Sequence, residues 1–258
     1  MPSGDGPRDA IETVGLTKVY GNQTAVRDLD LRVTRGDVYG FLGPNGAGKS
    51  TTMRMLTGLL PPTRGEGYVA GTPIEDRRAL ADRVGYLPEE PPLYDELSGR
   101  EQLDYVADLR DVPTDVANDR IDRLLDRFDL AGDAGKRIGA YSKGMAQKTA
   151  FVQTVLHDPE VVFLDEPTSG LDPRAARTLR EEIRRVADAG TTVFLSTHVL
   201  PVVEELADVV GVLANETIVA EGTPGGLVDR VESDDERDET LERAFLDVTG
   251  RHEGSATR

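Results

Sequence analysis

The segment Gly43-Pro44-Asn45-Gly46-Ala47-Gly48-Lys49-Ser50 follows the spacing G-x-x-x-x-G-K-[ST], which suits a grip on a phosphate chain. Its glycines let backbone N–H groups close around phosphate oxygens, and a following helix N-terminus adds positive potential. Lys49 then reaches the β- and γ-phosphates, and the hydroxyl of Ser50, with Thr51 behind it, faces a Mg²⁺ ion. A second loaded segment is Asp165-Glu166, after the apolar run Val161-Val162-Phe163-Leu164. Asp165 is the expected partner of the magnesium ion, and Glu166 is placed to orient or deprotonate an attacking water. His198, at the end of Ser196-Thr197-His198, suits the γ-phosphate and that same water. Ser142 and Gly144 flank Lys143 at an expected helix N-terminus, where a hydroxyl, N–H groups and a dipole favour an anion. The chemistry these groups predict is hydrolysis of a nucleoside triphosphate.

Such groups must be carried to one place. Four apolar runs end in them or in similar residues: Val38 to Leu42, Val84 to Leu87, Val161 to Leu164 and Thr192 to Leu195. Runs without polar alternation suit strands buried on both faces of a parallel sheet. Ligands of open α/β sheets sit at the carboxyl ends of such strands, so all four endings can converge on one crevice. Strand alternation puts Asp165 and Glu166 on opposite faces. Helices are expected over Gly48 to Leu60, from the capping box Ser98-Gly99-Arg100-Glu101 to about Leu109, along the stripe of Ile121, Leu124, Leu125 and Phe128, and from Asp172-Pro173 to Val186. Leu29, Leu31 and Val33 alternate with Asp30, Arg32 and Thr34, as in a half-buried antiparallel strand that Tyr68 to Ala70 could join.

The expected fold is therefore α/β: a P-loop NTPase core with a mostly parallel sheet, an N-terminal antiparallel β-subdomain and a helical subdomain inserted at about 91–155. The catalytic domain is expected over 9–224, and 225–258 as an acidic linker with a short C-terminal extension.

Composition excludes several alternatives. The 258 residues hold no cysteine, so neither disulfides nor Cys-ligated metal sites exist, and the three histidines are too scattered for a zinc centre. No run reaches the roughly 20 apolar residues of a membrane helix, and no leader precedes the core, which points to a soluble chain. The net charge of −17 disfavours nucleic acid, which needs a cationic field. Acidity of this size is self-repelling unless screened, which fits adaptation to a salty cytoplasm better than a merely acidic protein.

In order and type, these motifs resemble the ATP-binding cassette (ABC) family, the nucleotide-hydrolysing subunits of transporters, from about Ile11 to Val219. The resemblance implies that Tyr20 stacks on adenine, that Tyr141-Ser142-Lys143-Gly144-Met145 is the family signature, and that Ser169-Gly170-Leu171-Asp172 is a dimer-contact loop. It makes His198 the switch histidine. It also implies that the signature meets the γ-phosphate bound by a second protomer, so that two chains clamp two ATP molecules head to tail. Two departures stand out. Lys143 replaces the commoner glycine and would add positive charge near the phosphate; Glu89 replaces a glutamine that touches magnesium and water, exchanging an amide for an acceptor-only carboxylate. Together with Leu241-Glu242-Arg243-Ala244-Phe245-Leu246-Asp247-Val248-Thr249-Gly250, these features look like the ABC-2 type exporters. The expected partners are a second copy, on ATP binding, and a separately encoded integral-membrane permease. The expected place is the cytoplasmic face of the cell membrane, and the cofactors are ATP and Mg²⁺. The rival readings are a soluble ABC ATPase without a permease, acting in assembly or on nucleic acid, and a purely regulatory nucleotide switch. The 91 residues between Ser50 and Ser142 leave no room for the long coiled coil of chromosome-type members.

Overall fold

A computed structural model describes residues 9–229 and Phe245; the rest of the acidic linker and extension expected over 225–258, with the Leu241 to Gly250 stretch apart from Phe245, lies outside the described residues. The chain opens with two long strands, β1 (Asp9–Tyr20) and β2 (Gln23–Thr34), paired antiparallel with Tyr20 opposite Gln23 at the turn. The alternation in β2 buries Leu29, Leu31 and Val33 on one face, as a two-residue period requires. Then follow β3 (Val38–Leu42), α1 (Lys49–Leu56), β4 (Arg64–Val69), β5 (Thr72–Pro73), α2 (Arg77–Arg83) and β6 (Val84–Leu87). Helices α3 (Gly99–Leu109), α4 (Thr114–Arg127) and α5 (Lys143–Val155) intervene before β7 (Val161–Asp165). The chain continues through α6 (Pro173–Asp188), β8 (Thr192–Thr197), α7 (Leu200–Leu206), β9 (Val209–Ala214), β10 (Thr217–Gly222) and α8 (Pro224–Val228).

Two sheets result. A four-stranded antiparallel sheet runs β2-β1-β4-β5, and a six-stranded sheet runs β10-β9-β3-β8-β7-β6. All ladders of the second are parallel except β10 with β9. Each inner strand feeds both faces. Val162, Leu164, Val193 and Leu195 pack against the helical layer of α3 to α7, whereas Val161, Phe163 and Phe194 face α1 and the antiparallel sheet. On that second face the Phe194 ring lies 5.3 Å from Tyr39, 5.1 Å from Phe41 and 5.5 Å from Phe163. This aromatic cluster ties β3, β7 and β8 in register beneath the ends that carry the phosphate loop, the carboxylates and His198. Truncating such a buried ring to alanine typically costs about 3–5 kcal/mol.

Local signals set the helix ends. Ser98 and Glu101 close a full capping box on α3, and Asp172 accepts from the backbone N–H groups of Arg174 and Ala175 at the start of α6. The helix expected to reach Leu60 stops at Leu56 instead. Gly58, at φ 70°, takes the left-handed conformation, and the N–H groups of Thr57, Gly58 and Leu60 cap the last carbonyls.

Candidate nucleotide-hydrolysis site

The loop between β3 and α1 is shaped by glycines in conformations other residues avoid. Gly46 stands at φ 82° and Gly48 at φ 108°, and a Cβ on Gly48 would lie 2.2 Å from the carbonyl oxygen of Ala25. The start of β2 therefore presses directly on the loop. Lys49, the first residue of α1, is 6% exposed. Its Nζ donates to the carbonyls of Gly43 (2.7 Å) and Pro44 (3.1 Å), closing the loop on itself. Burial lowers the Lys49 pKa, against the upward pull of Glu166, Asp165 and Glu89.

Across the cleft stand the two carboxylates. Asp165 points to the α1 face of β7, 3% exposed, and accepts from Ser196 Oγ at 2.9 Å. Asp165 bonds Ser196 and Glu166 bonds Thr197, successive residues of β8, so the two carboxylates leave the chain on opposite sides as strand alternation predicts. The strand ends at Asp165, Glu166 sits at φ 48°, and both side chains line the same cleft, with Glu166 Oε1 3.9 Å from Lys49 Nζ. That separation exceeds hydrogen-bond length, so the lysine is not committed to the carboxylate. Glu166 is instead held from the β8 side. Thr197 Oγ1 donates to Oε2 (3.0 Å), and His198 Nδ1 contacts Oε1 (2.8 Å). Thr197 Oγ1 in turn accepts from Val199 N (3.0 Å). One carboxylate is thus oriented by two side chains while its own backbone N–H donates to Ser196 O.

These groups share one cleft of about 470 Å³. Its wall includes Tyr20, Asn45, Gly46, Gly48, Lys49, Ser50, Thr51, Glu89, Asp165, Glu166 and His198. Gly43, Pro44 and Ala47 complete the loop beneath it. Gln23, Thr24 and Ala25, from the start of β2, also line the wall and were not singled out in the sequence. Their signal is indirect: a glycine in the loop that tolerates no Cβ implies a strand against it.

Oxygen donors dominate the position between Ser50, Asp165 and Glu89. Asp165 keeps Oδ2 free of the Ser196 bond, and no cluster of three or more His, Cys, Asp or Glu forms a self-contained metal cage among the described residues. That donor set fits Mg²⁺, a hard cation usually held by one or two protein oxygens, waters and substrate phosphates.

Ser142, Lys143 and Gly144 are elsewhere. Ser142 caps α5 by accepting from Met145 N (3.2 Å), and with Lys143 it lines a neighbouring cleft of about 510 Å³ that also includes Glu90, Pro91, Leu93 and Tyr141. Glu89 lines both clefts. Lys143 reaches its own chain's Ser169–Asp172 loop, its Nζ lying against Gly170. The two regions are coupled through Gln147 of α5, 4% exposed, whose Nε2 donates to Pro167 O (3.0 Å) one residue after Glu166. No helix among the described residues is long and apolar enough to cross a membrane.

Comparison with known proteins agrees with this geometry. The family model described as ABC transporter matches residues 26–169. An uncharacterized ABC transporter ATP-binding protein of a Nostoc species is 41% identical over 222 residues, which cover 83% of this chain and 66% of that protein. A daunorubicin resistance ATP-binding protein of Streptomyces coeruleorubidus is 41% identical over 219 residues, covering 84% of this chain and 69% of its own length. The chain thus spans about two thirds of the length of these relatives. Among solved structures, the ATP binding subunit of an ABC transporter superposes with a TM-score of 0.85 at 31% identity, over 93% of this chain and 99% of that one.

Proposed function

The chain belongs to the ABC transporter family, and from that premise we propose that it is an ATPase subunit that works as a head-to-tail dimer and drives export through a separate membrane permease. The observation that carries this reading is the clamped Glu166 facing the phosphate loop across one cleft. A switch that only binds nucleotide has no need of a carboxylate oriented by two partners, 3.9 Å from the loop lysine.

In the proposed reaction the triphosphate settles on the N–H groups of Gly43 to Ser50, and Lys49 exchanges the loop carbonyls for β- and γ-phosphate oxygens. Ser50, Asp165 and Glu89 would hold Mg²⁺, which would supply positive charge to offset that of the phosphates. Glu166 accepts the proton of a water that attacks the γ-phosphorus, and the bond from that phosphorus to the bridging oxygen breaks, giving ADP and phosphate. His198 holds Glu166 through Nδ1 and faces the γ-phosphate. Tyr20 receives the base. The signature residues Ser142 and Lys143, with Gly144 next to them in the chain, open on a different cleft from the phosphate loop of their own chain, which supports use of the signature by a partner's nucleotide. Gln147 would then report that engagement to the Glu166 turn.

Export is favoured by the ABC-2 resemblance and by a relative named for daunorubicin resistance. The chain would sit on the cytoplasmic face of the membrane, with domain limits near 9–224 and no role for nucleic acid. Phosphate release from Mg²⁺-ATP tests the reading; a rate no higher than that of the Lys49→Ala variant would overturn it.

A further inference from the structure

Only five of the 30 basic residues are lysines, and one of them lies over a ring that lines the nucleotide cleft without lining it itself. Lys18 and Tyr20 are two apart on β1 and so share a strand face. The Lys18 Nζ lies over the Tyr20 ring, 5.3 Å from its centroid, and donates to Pro61 O at 2.6 Å. The chain two residues beyond Pro61 is fixed to β1. The N–H of Thr63 donates to Thr17 O (2.8 Å), and Thr63 Oγ1 accepts from Val19 N (3.0 Å). The ammonium is therefore pinned in place while the Tyr20 ring, 48% exposed, borders the cleft.

A cation over one ring face is held by the ring quadrupole and draws π density towards itself. The opposite face becomes poorer in electrons and a better stacking partner for an electron-rich purine. We propose that Lys18 is a positioning residue for the nucleotide base, holding the Tyr20 ring from behind so that its opposite face receives a purine. The proposal rests on the reading of this cleft as an ATP site.

Calorimetric titration of wild type, Lys18→Gln, Lys18→Met, Tyr20→Ala and the double variant Lys18→Gln/Tyr20→Ala tests it, with Mg²⁺-ATP and with inorganic tripolyphosphate as probes. Gln keeps a donor for Pro61 O and removes only the cation, so it answers for Met should the latter fold poorly. Both single Lys18 variants are expected to weaken ATP about two- to fivefold, the value of an exposed cation–π contact. Tripolyphosphate affinity should not change, nor should ATP affinity fall further when Lys18→Gln is added to Tyr20→Ala. In turnover the loss should appear in KM, with kcat unchanged. An equal loss for tripolyphosphate, or an undiminished loss on the Tyr20→Ala background, would overturn the proposal in favour of a charge acting on the phosphates. Unchanged ATP affinity in Lys18→Gln would also overturn it. Failure of the wild-type chain to bind ATP at all would instead sink the reading of the site.

Discussion

Replacing Thr197 by valine keeps side-chain volume and removes one hydroxyl, which the fold uses twice. It donates to Glu166 Oε2 and accepts the N–H of Val199, each at 3.0 Å. A hydrogen bond to a charged group is worth about 1.5–3 kcal/mol, and its loss releases half of the clamp on the carboxylate. Glu166 then has two ways to settle: to pivot on His198 alone, or to close the 3.9 Å gap to Lys49. Either removes it from the line of the attacking water. If the whole clamp energy is expressed at the transition state, turnover falls by about 10- to 150-fold. ATP affinity should change by less than about threefold, because the loop N–H groups and Lys49 remain. The orphaned Val199 N–H costs a further 1–3 kcal/mol or so in stability, so unfolding must be measured alongside. Single-turnover phosphate release at saturating Mg²⁺-ATP is the assay. A folded Thr197→Val protein that hydrolyses within twofold of wild type would refute the positioning argument.

Other perturbations follow from the same geometry. Gly48→Ala places a Cβ 2.2 Å from Ala25 O at φ 108° and should abolish measurable ATP binding while α/β content by circular dichroism persists; retained binding would show that the loop can move off β2. Burial, aided by Arg110, brings the His157 imidazole down to about 4, against the pull of its Val84 O contact, Asp82 and Asp158. The folded state thus refuses a proton that the unfolded chain takes up near pH 6.5. Stability is full above that pH and falls by roughly 2–3 kcal/mol on descent from 6.5 to about 4, and His157→Gln should flatten this part of the urea-denaturation profile. Two chains of charge −17 should associate with ATP more tightly in molar KCl than in dilute buffer, as sedimentation across KCl concentration would show.

What could be read from the sequence was whatever local chemistry determines. The phosphate loop, the capping box at Ser98 and the Asp172-Pro173 cap act over a few residues, and the structure forms each of them. The apolar runs likewise announce β3, β6, β7 and β8. Relations set by tertiary contact were not legible. Alternation separates Asp165 from Glu166, but it does not reveal that the chain leaves the strand at positive φ there or that β8 holds the Glu166 side chain. Thr197 was visible only as a neighbour of His198; its grip on Glu166 requires β7 and β8 to be adjacent. The link from α5 through Gln147 to Pro167, the pressure of Ala25 on Gly48 and the ammonium behind Tyr20 join residues far apart in sequence or faces that no pattern specifies. The end of α1 was misjudged for a local reason: Gly58 was a stop signal, and the apolar residues beyond it hid that.

Glu166→Gln bears most directly on the central account of a hydrolytic site completed by a second protomer. The amide keeps the volume and the contact from Thr197 but cannot take a proton from water. Sedimentation velocity of this variant with Mg²⁺-ATP should show a stable dimer carrying unhydrolysed nucleotide, and adding Ser142→Ala should weaken that dimer. A variant that stays monomeric at saturating ATP, or that hydrolyses at a near-normal rate, would contradict it.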